Sequence, residues 1–398
     1  MGWWLTTFLL ESHPMANTLT SLAQTLYRAY LEVPMEATGF LDSLGANWNA
    51  EAVGVGASVR VPVITPRAVE SVPTAGMTWT AGSDSTTSTR EFTLSGVAQY
   101  SFNMTAEEEK YLSIPENTNA MEMLRLNMEQ GKRVIRNTIE AAVGVALNAA
   151  ASRAIGTAAT APFASDITLL NEAIRQLQVN GAGDSARVGI LDFNAGYNLR
   201  SIAQLQKMNE SGGDLVRSGT IGRLAGTTLL ESANITSHTK GAATGTLVNA
   251  GSGLAIGTTT IPYDTMTVNT TGIKAGDVIT FAGDTTYKYV VKTGATATSG
   301  NIVIQEPGLR VAIADDNAIT VTASHVANIV ATPWSTKIIA RPLAQPQSPA
   351  VEQIVLSDEK GWSCNLIRVV GDQMASWYMR VAYGAFVPNP FGVIKIMG

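Results

Sequence analysis

Residues 119–151 read NAMEMLRLNMEQGKRVIRNTIEAAVGVALNAAA. Apolar side chains recur in this stretch at spacings of mostly three, four and seven: Met121, Leu124, Met128, Ile135, Ile139 and Val143. Such spacing predicts one amphipathic helix, with Asn119 and Glu122 in a capping pattern at its start. At about 1.5 Å per residue the helix would be roughly 45–50 Å long, longer than most globular helices. We interpret it as a spine; a coiled coil is the alternative, although Gly131 and Gly144 interrupt the heptads.

Upstream of this helix, residues 53–102 have a different pattern. The runs Val59-Arg60-Val61 and Phe92-Thr93-Leu94 alternate with the period of two that is typical of strands. A polar stretch rich in Pro, Gly, Ser and Thr separates the runs, with Trp79 near its middle. We interpret the segment as a long two-stranded arm. Because an isolated hairpin is only marginally stable in water, the arm is expected to lie on another molecule; the alternative is a hairpin folded back on its own domain.

The charged residues of this arm limit how it can hold a neighbour. No lysine precedes Lys110, and the arm's cationic side chains are Arg60, Arg67 and Arg90. A guanidinium stays protonated at neutral pH and is therefore a weak nucleophile. We expect non-covalent contacts: strand pairing, burial of Trp79, and ion pairs of Arg67 or Arg90 with a neighbour's carboxylate.

Downstream of the helix the chain has the pattern of a compact α/β unit. Residues 152–165 have the composition of a linker of small residues. Helical spacing follows at 167–177, then a strand at Val188–Phe193, a helix at 194–208 and a strand around Thr227–Leu230. This alternation predicts a sheet covered by helices.

Residues from about His238 to His325 differ in kind, because they are rich in Thr and Gly and have no helical period. Turn residues separate six strand candidates: Thr246–Asn249, Met266–Asn269, Val278–Phe281, Tyr287–Lys292, Asn301–Gln305 and Ala318–Thr322. The pattern predicts a small all-β module, a sandwich or a barrel, inserted into the α/β unit. Further strands are predicted at Cys364–Val370, Trp377–Tyr383 and Gly392–Ile396, and the apolar end of the chain is expected to be paired in a sheet.

Composition narrows the possible classes of protein. The 398 residues are 45% hydrophobic and only 15% charged, with a net charge of −5 and no polybasic stretch. A sequence-specific nucleic-acid binder would normally carry a basic face, so that class is disfavoured. A surface of low charge and small residues suits a protein that covers much of itself with partners. A single cysteine, Cys364, rules out an intrachain disulfide, and its apolar surroundings favour packing over nucleophilic chemistry.

The sequence assigns no catalytic, cofactor-binding or metal-binding residues. The three histidines, His13, His238 and His325, lie far apart in the sequence, so a zinc site is not expected. The pair Asp315-Asp316 could bind a cation, but a turn between strands explains it better. We therefore expect neither enzyme activity nor a cofactor.

The N-terminus is interpreted separately. Residues 1–10 are apolar, but no Lys or Arg precedes them, and a membrane span needs about 20 apolar residues. Met15 looks like a natural start, since helical spacing follows from Leu19 to Tyr30. We expect residues 1–14 to be an upstream extension, with a hydrophobic arm that docks on a neighbour as the alternative. No membrane partner is expected.

From Met15 onward, the order of these parts resembles that of the tailed-bacteriophage major capsid (coat) proteins of the podovirus coat-protein type, which carry an inserted immunoglobulin-like (telokin-like) domain. Four runs carry the resemblance: ANTL at 16–19, RSGTIGRLAG at 217–226 before the insertion, KIIARPL at 337–343 after it, and MRVAYGA at 379–385. Their occurrence in this order indicates the family. The insert here is short and carries few charges, so a charged loop that joins capsomers cannot be located in it.

The resemblance implies an α+β fold, namely the Hong Kong 97-like phage capsid fold with N-arm, extended loop, spine helix and axial domain, plus an all-β insertion domain. It implies this division of the chain: an upstream extension 1–14, the N-terminal arm 15–52, the extended loop 53–104, a peripheral domain with the spine helix 105–160, the first part of the axial domain 161–237, the insertion domain 238–327, the axial return 328–350 and the peripheral C-terminal strands 351–398.

The resemblance also implies a function. Members of the family are structural proteins of the virion that self-assemble into hexamers and pentamers of an icosahedral phage head enclosing double-stranded DNA. A scaffolding protein and a portal are the implied partners in procapsid assembly, and the host bacterial cytoplasm is the implied place of assembly. Two other functions stay open at this point: an extracellular surface-layer or adhesin-like structural protein with an immunoglobulin-like module, and an α/β enzyme with a β insertion.

Overall fold

A computed structural model of the chain describes residues 36–44, 46–48, 54, 56–64, 87–108, 118–182, 186–206, 221–267, 271–344, 351–357, 363–371 and 373–398. The helix predicted from Leu19 to Tyr30 and the tip of the arm with Trp79 lie outside these residues.

The described part of the chain is mixed α/β and largely β. Its helices are α1 (Gly39–Ser43), α2 (Thr118–Ala150), α3 (Thr168–Val179), α4 (Phe193–Ser201) and α5 (Ala203–Gln206). Its strands are β1 (Ala46–Trp48), β2 (Ser58–Ile64), β3 (Thr87–Thr93), β4 (Gly96–Thr105), β5 (Arg153–Ile155), β6 (Arg187–Leu191), β7 (Arg223–Leu224), β8 (Thr227–Glu231), β9 (Ser237–His238), β10 (Thr246–Val248), β11 (Thr260–Asp264), β12 (Val278–Phe281), β13 (Asp284–Thr293), β14 (Gly300–Ile304), β15 (Ala318–Val321), β16 (His325–Ala331), β17 (Lys337–Arg341), β18 (Val351–Ser357), β19 (Ser363–Val370), β20 (Met374–Phe386) and β21 (Val393–Met397).

The predicted spine helix is confirmed as α2, which is 33 residues long. Its apolar stripe is buried along the whole length for which side chains are described, as expected from the spacing: Leu124, Met128, Ile135, Ile139, Val143 and Leu147. Gly131 lies where the helix meets a sheet, because a Cβ added there would come within 2.6 Å of Met379 Sδ and 2.7 Å of Tyr100 Cδ1. The glycine that interrupts the heptads therefore allows the helix to approach a sheet closely.

The sheet under the helix, here called the spine sheet, has the strand order β1-β17-β20-β19-β18, with β4 also paired to β20. The two longest partners, β4 and β20, run antiparallel from Gly96 opposite Tyr383 to Thr105 opposite Met374. Helix α2 packs on both of these strands. The spine helix and this sheet thus share one hydrophobic core, which includes Trp377 and Cys364.

A second sheet, here called the central sheet, has the strand order β5-β21-β16-β6-β8-β7, with β9 paired to β16. Strand β6 is parallel to β8, and β21 is parallel to β5, while β16 is antiparallel to its neighbours. Helices α3 and α4 cover one face of the sheet through a core that includes Leu170, Leu177 and Leu199. The predicted α/β unit is therefore present, and the end of the chain is paired in a sheet as expected.

One part of the predicted linker 152–165 is in fact a buried strand. Residues Arg153–Ile155 form β5, and all three are buried between β21 and β13. Three residues are too few to display a period of two, so the pattern could not separate this strand from a linker of small residues.

The predicted β module closes into a barrel. Its six strands follow the order β12-β15-β10-β11-β14-β13, and a further pairing of β12 with β13 closes the ring, with every pair antiparallel. This pairing differs from the immunoglobulin-like arrangement expected from the resemblance, because a sandwich keeps two separate sheets. Ring closure is possible because β13 is ten residues long and shifts register near Val291 and Thr293.

One of the six strands of the barrel was not predicted. It is Thr260–Asp264, and in the described part of the predicted run Met266–Asn269, Thr267 makes a bridge to Thr244. Residues 268–270 lie outside the described residues. Pro262 explains the error, because a proline inside a run argues against a strand although edge or irregular positions tolerate it.

Two strands depart from the expected division of the chain. Strand β17, within 328–350, pairs with β20 of the spine sheet, and β21, within 351–398, pairs with β16 and β5 of the central sheet. The chain crosses between the sheets at two short turns, Pro333–Ser335 and Pro390–Gly392. These turns pack together, with Ser335 Oγ 3.3 Å from the carbonyl oxygen of Gly392. The crossings depend on contacts between distant residues, which no local pattern displays.

Candidate functional site

The N-terminal segment is anchored to the spine helix by one buried carboxylate. Glu140 has no exposed surface, and its two oxygens accept hydrogen bonds from the backbone N–H groups of Phe40 at 2.8 Å and Leu41 at 3.0 Å. Ser232 Oγ donates a third hydrogen bond at 2.8 Å. Burial raises the pKa of Glu140, while these three donors oppose that effect. The carboxylate thus satisfies the start of α1 from a helix about 100 residues away in sequence.

Two arginines of the spine helix extend this anchor. Arg133 pairs with Glu36 at 2.6 Å, and Arg136 pairs with Asp42 at 3.1 Å. The hydrogen bond from Arg133 lowers the pKa of Glu36 below its usual range. The described part of the N-terminal segment therefore packs against α2, and no local pattern in the sequence indicates these pairs.

The predicted two-stranded arm is confirmed as an antiparallel hairpin of β2 and β3, paired from Ser58–Thr93 to Ile64–Thr87. No side chain described in 57–61 or 89–93 is buried. The hairpin is held at its base, where Phe92 stacks on Phe386 with ring centroids 4.7 Å apart. Within the described residues, the hairpin therefore has no hydrophobic core of its own.

Arg90 connects the hairpin to the barrel. Its guanidinium donates to the carbonyl oxygen of Pro388 at 2.8 Å and to both carboxylate oxygens of Glu306 at 3.1 Å, so it pairs within its own chain. Arg90 makes this pair because it lies within reach of the barrel, and its expected pairing with a neighbour's carboxylate stays a prediction. Arg60 lies 3.8 Å from Glu91 on the paired strand, and Arg67 is outside the described residues.

The barrel is docked on the central sheet through a buried arginine. Arg153 of β5 is 1% exposed, and its guanidinium lies over the ring of Tyr289 at 4.6 Å from the centroid. The same guanidinium donates to the carbonyl oxygens of Ser152, at 3.0 Å, and Gly308. Burial lowers the pKa of Arg153 to about 10. Tyr289 in turn donates to Asp284 at 2.6 Å, so the arginine is tied to the barrel's own polar contacts.

Further polar contacts tie the barrel to neighbouring elements. Gln305 Nε2 donates to the carbonyl oxygen of Ala149 at the end of α2, at 2.8 Å. Arg310 donates to Asn180 Oδ1 just after α3, at 2.9 Å. Lys288 Nζ donates to the carbonyl oxygen of Gly156. The barrel junction, meaning the interface of the barrel with α2, α3 and the central sheet, therefore contains several polar contacts.

The same junction contains a chain of hydrogen-bonded side chains. Lys395 Nζ, which has no exposed surface, donates to Asn148 Oδ1 and to the carbonyl oxygen of Gly276, each at 2.8 Å. Asn148 Nδ2 is 3.1 Å from His238 Nδ1, and His238 Nε2 is 2.8 Å from Asp277 Oδ1. Asp277 also accepts from the backbone N–H of Gly241 at 3.1 Å. Burial lowers the pKa of Lys395 to about 7, and the Asp277 carboxylate opposes that effect.

Two histidines that are distant in the sequence meet at this place. His238 of β9 pairs with His325 of β16, and their ring centroids are 5.4 Å apart. His325 Nδ1 donates to the carbonyl oxygen of Ala323 at 3.0 Å, and burial lowers the pKa of His325 to about 4. Among the described residues no group of three or more His, Cys, Asp or Glu side chains is placed to hold a metal ion. Lys395, Asn148, His238, Asp277 and His325 are called the junction cluster below.

The sequence does indicate that these two histidines are neighbours, although their separation along the chain suggests the opposite. His238 and His325 lie at the two predicted ends of the inserted module. The two ends of an insertion must come together where it joins its host domain, so residues at both ends are expected to be neighbours.

The structure also shows the surroundings of Asp315, Asp316 and Cys364, the other residues that the sequence analysis singled out. Asp315 Oδ1 accepts from the backbone N–H of Ala250 at 2.6 Å, and Asp316 has a φ of 56°, as in a turn. The turn interpretation of this pair is confirmed. Cys364 is buried within β19 as a core residue, as predicted. No helix in the described ranges combines the length and apolar character needed to cross a bilayer.

No family model matches the sequence, and no curated protein matches it. Solved structures do match. The capsid structure of cyanophage P-SCSP1u is 12% identical with a TM-score of 0.48, covering 92% of this chain and 90% of that one. The mature capsid of bacteriophage PhiM1 is 10% identical with a TM-score of 0.43, covering 100% and 92%. The capsid of Ralstonia phage GP4 is 10% identical with a TM-score of 0.44, covering 99% and 98%.

The matched solved structures are mostly phage capsids. At these identities and TM-scores the likeness carries no argument by itself. The functional proposal therefore depends on the residues and contacts of this chain.

Proposed function

We propose that this chain is the major capsid protein of a tailed bacteriophage, with a Hong Kong 97-like fold. In this proposal it self-assembles into hexamers and pentamers of an icosahedral head that encloses double-stranded DNA. Its place is the virion capsid, after assembly in the host bacterial cytoplasm.

The observation that carries the proposal is that the hairpin has no buried side chain among those described in 57–61 and 89–93. Strands β2 and β3 pair over seven residue positions, yet none of their described side chains is buried. A lone two-stranded hairpin is marginal in water, and its free edges favour pairing with another chain. The hairpin extends from a rigid body built on a long helix and two sheets. A neighbouring copy of the chain is the partner that can supply burial for it.

The architecture supports a role as a repeating tile. The spine helix α2 is held to the spine sheet by a continuous core, and buried ionic contacts fix the N-terminal segment to the same helix. A regular shell needs subunits of constant shape, and this shared core and these contacts favour such a shape. In the proposed division, residues 53–104 are the extended loop and 105–160 contain the spine.

The proposed partners follow from the same role. A scaffolding protein and a portal would direct assembly, and packaged DNA would be contained without sequence-specific contacts. A net charge of −5 and the lack of a polybasic stretch in the sequence support loose containment over tight DNA binding.

Electron microscopy of the purified full-length chain, alone and with a scaffolding protein, tests the proposal. We expect closed shells or curved sheets of capsomers, with light scattering that rises during assembly. A protein that stays monomeric under all assembly conditions would contradict the proposal.

A further inference from the structure

The hydrogen bonds of the junction cluster run in one direction. Because Lys395 Nζ donates to Asn148 Oδ1, the amide of Asn148 turns its oxygen towards Lys395. Its Nδ2 therefore donates to His238 Nδ1, which must be unprotonated. The remaining proton of His238 lies on Nε2 and is donated to the Asp277 carboxylate. The geometry thus fixes His238 as one neutral tautomer.

Each residue of this chain of hydrogen bonds belongs to a different part of the fold. Lys395 lies on β21, Asn148 on the last turn of α2, His238 on β9, and Asp277 just before β12 of the barrel. The exposed fraction of the His238 side chain is 11%, and that of Asp277 is 0%. A movement of the barrel away from α2 must therefore break the bonds from His238 to Asp277 and from Lys395 to the Gly276 carbonyl, and admit water to the buried groups.

We propose that the junction cluster is an acid-sensitive catch, in which protonation of its buried bases favours a state with the barrel released from the end of the spine helix. This inference concerns the subunit itself and holds whether or not the chain forms a shell.

Neither histidine ring of the cluster faces a free hydrogen-bond acceptor that could receive an additional proton's N–H. A second proton on His238 would lie on Nδ1 and face the Nδ2 donor of Asn148; turning the amide would then point that donor at Lys395. His325 already uses Nδ1 as a donor to Ala323, and its buried Nε2 has no hydrogen-bond partner among the described residues. A proton added at either ring would leave a buried donor unsatisfied, which is costly.

Burial shifts the pKa of Lys395 and the pKa of His325 in the same direction, downwards. In the closed junction, burial lowers the pKa of Lys395 from 10.5 to about 7, and that of His325 from 6.5 to about 4. The nearby Lys395 and His238 also lower the pKa of His325, while Asp277 and the Ala323 carbonyl raise it. In an open, hydrated junction both groups would return towards their usual values.

The open state therefore binds more protons than the closed state. By linkage, the closed state gains stability as pH rises wherever the open state holds the extra proton. For Lys395 that window lies between about pH 7 and 10.5, and for His325 between about pH 4 and 6.5. Falling pH favours opening in both windows.

Hydrogen exchange of the full-length chain, followed by mass spectrometry from about pH 4 to about pH 9 and corrected for intrinsic exchange rates, tests the inference. The backbone amide of Gly241 reports directly, because it donates from the segment after β9 to Asp277 of the barrel. Above pH 7 we expect its opening constant to fall by about tenfold per pH unit. Amides of β19 and β20 in the spine sheet are the internal reference and should show no such slope.

Variants separate the catch from a general effect of pH. Lys395→Met should remove the slope above pH 7, whereas Lys292→Met, at an exposed lysine on β13, should keep it. His325→Asn retains a donor for Ala323, and it should remove the slope between about pH 4 and 6.5 even if Lys395→Met fails to fold. The inference is overturned if the Gly241 amide follows the spine-sheet amides, or if the His325 variant keeps the wild-type profile.

Discussion

The hairpin and the barrel are both excursions from the same two-sheet body, but they differ in what supports them. The hairpin has two strands and no buried side chain among those described in 57–61 and 89–93. The barrel has six strands closed into a ring around its own core, which includes Ile261, Phe281 and Ile302. Both were recognisable in the sequence as β structure with a period of two.

The difference shows that burial, and not strand content, decides which part of this molecule needs a partner. A closed ring has no free edges and keeps its apolar side chains from water. A two-stranded ribbon has two free edges and two open faces. The barrel can therefore serve a subunit by itself, while under the proposed function the hairpin gains most of its burial from a neighbouring copy.

The largest expected effect separates these two regions as isolated polypeptides. Residues 236–327 alone should fold, because the ring of strands and the core lie within that range. A peptide of residues 54–96 should stay unfolded in water. NMR spectra of the two are the measurement, and a disordered spectrum from 236–327 would show that the barrel depends on the central sheet.

A smaller effect is expected from Glu140→Ala in the body that carries both excursions. The change leaves the buried N–H groups of Phe40 and Leu41 without acceptors, which should lower the free energy of unfolding by about 2–4 kcal/mol. Glu129→Ala is the matched control on the same helix, where the pair with Arg125 contributes about 0.3–0.5 kcal/mol. Denaturant unfolding of the unassembled chain measures both; equal losses in the two variants would argue against the anchor.

The smallest effect is expected at the contact between hairpin and barrel. Both side chains of the Arg90–Glu306 pair are about one third exposed, at 32% and 38%, so the pair should contribute about 0–1 kcal/mol. A double-mutant cycle with Arg90→Met and Glu306→Gln measures this contribution, with Arg60→Met as a control on the paired strand. A coupling well above that range would mean that the barrel supports the hairpin and would weaken the contrast between them.

Local patterns in the sequence predicted the elements whose residues carry a full period. The stripe from Leu124 to Val143 specified the spine helix, and the alternation at Val59 and Phe92 specified both strands of the hairpin. Thr105 and Glu108, spaced as Thr-x-x-Glu, form a capping box, since the N–H of each residue donates to the side chain of the other, at 2.9 and 3.3 Å.

Features that depend on distant residues could not be predicted in this way. Strand β5 is too short to show a period, and Pro262 concealed β11. The junction cluster joins residues up to 247 positions apart, as between Asn148 and Lys395, so nothing near either residue indicates the other. A long-range contact of this kind also pairs Arg90 with Glu306 of the same chain.

Shortening of the hairpin tests most directly the claim that it is the element through which copies of this chain assemble. In the variant, residues 60–91 are replaced by a short Gly-rich turn, and its assembly is compared with that of the full-length chain by sedimentation velocity and electron microscopy. The account predicts that the shortened chain keeps the full-length chain's circular dichroism and unfolding free energy but stays monomeric where the full-length chain forms shells. Shells of normal size from the shortened chain would contradict it.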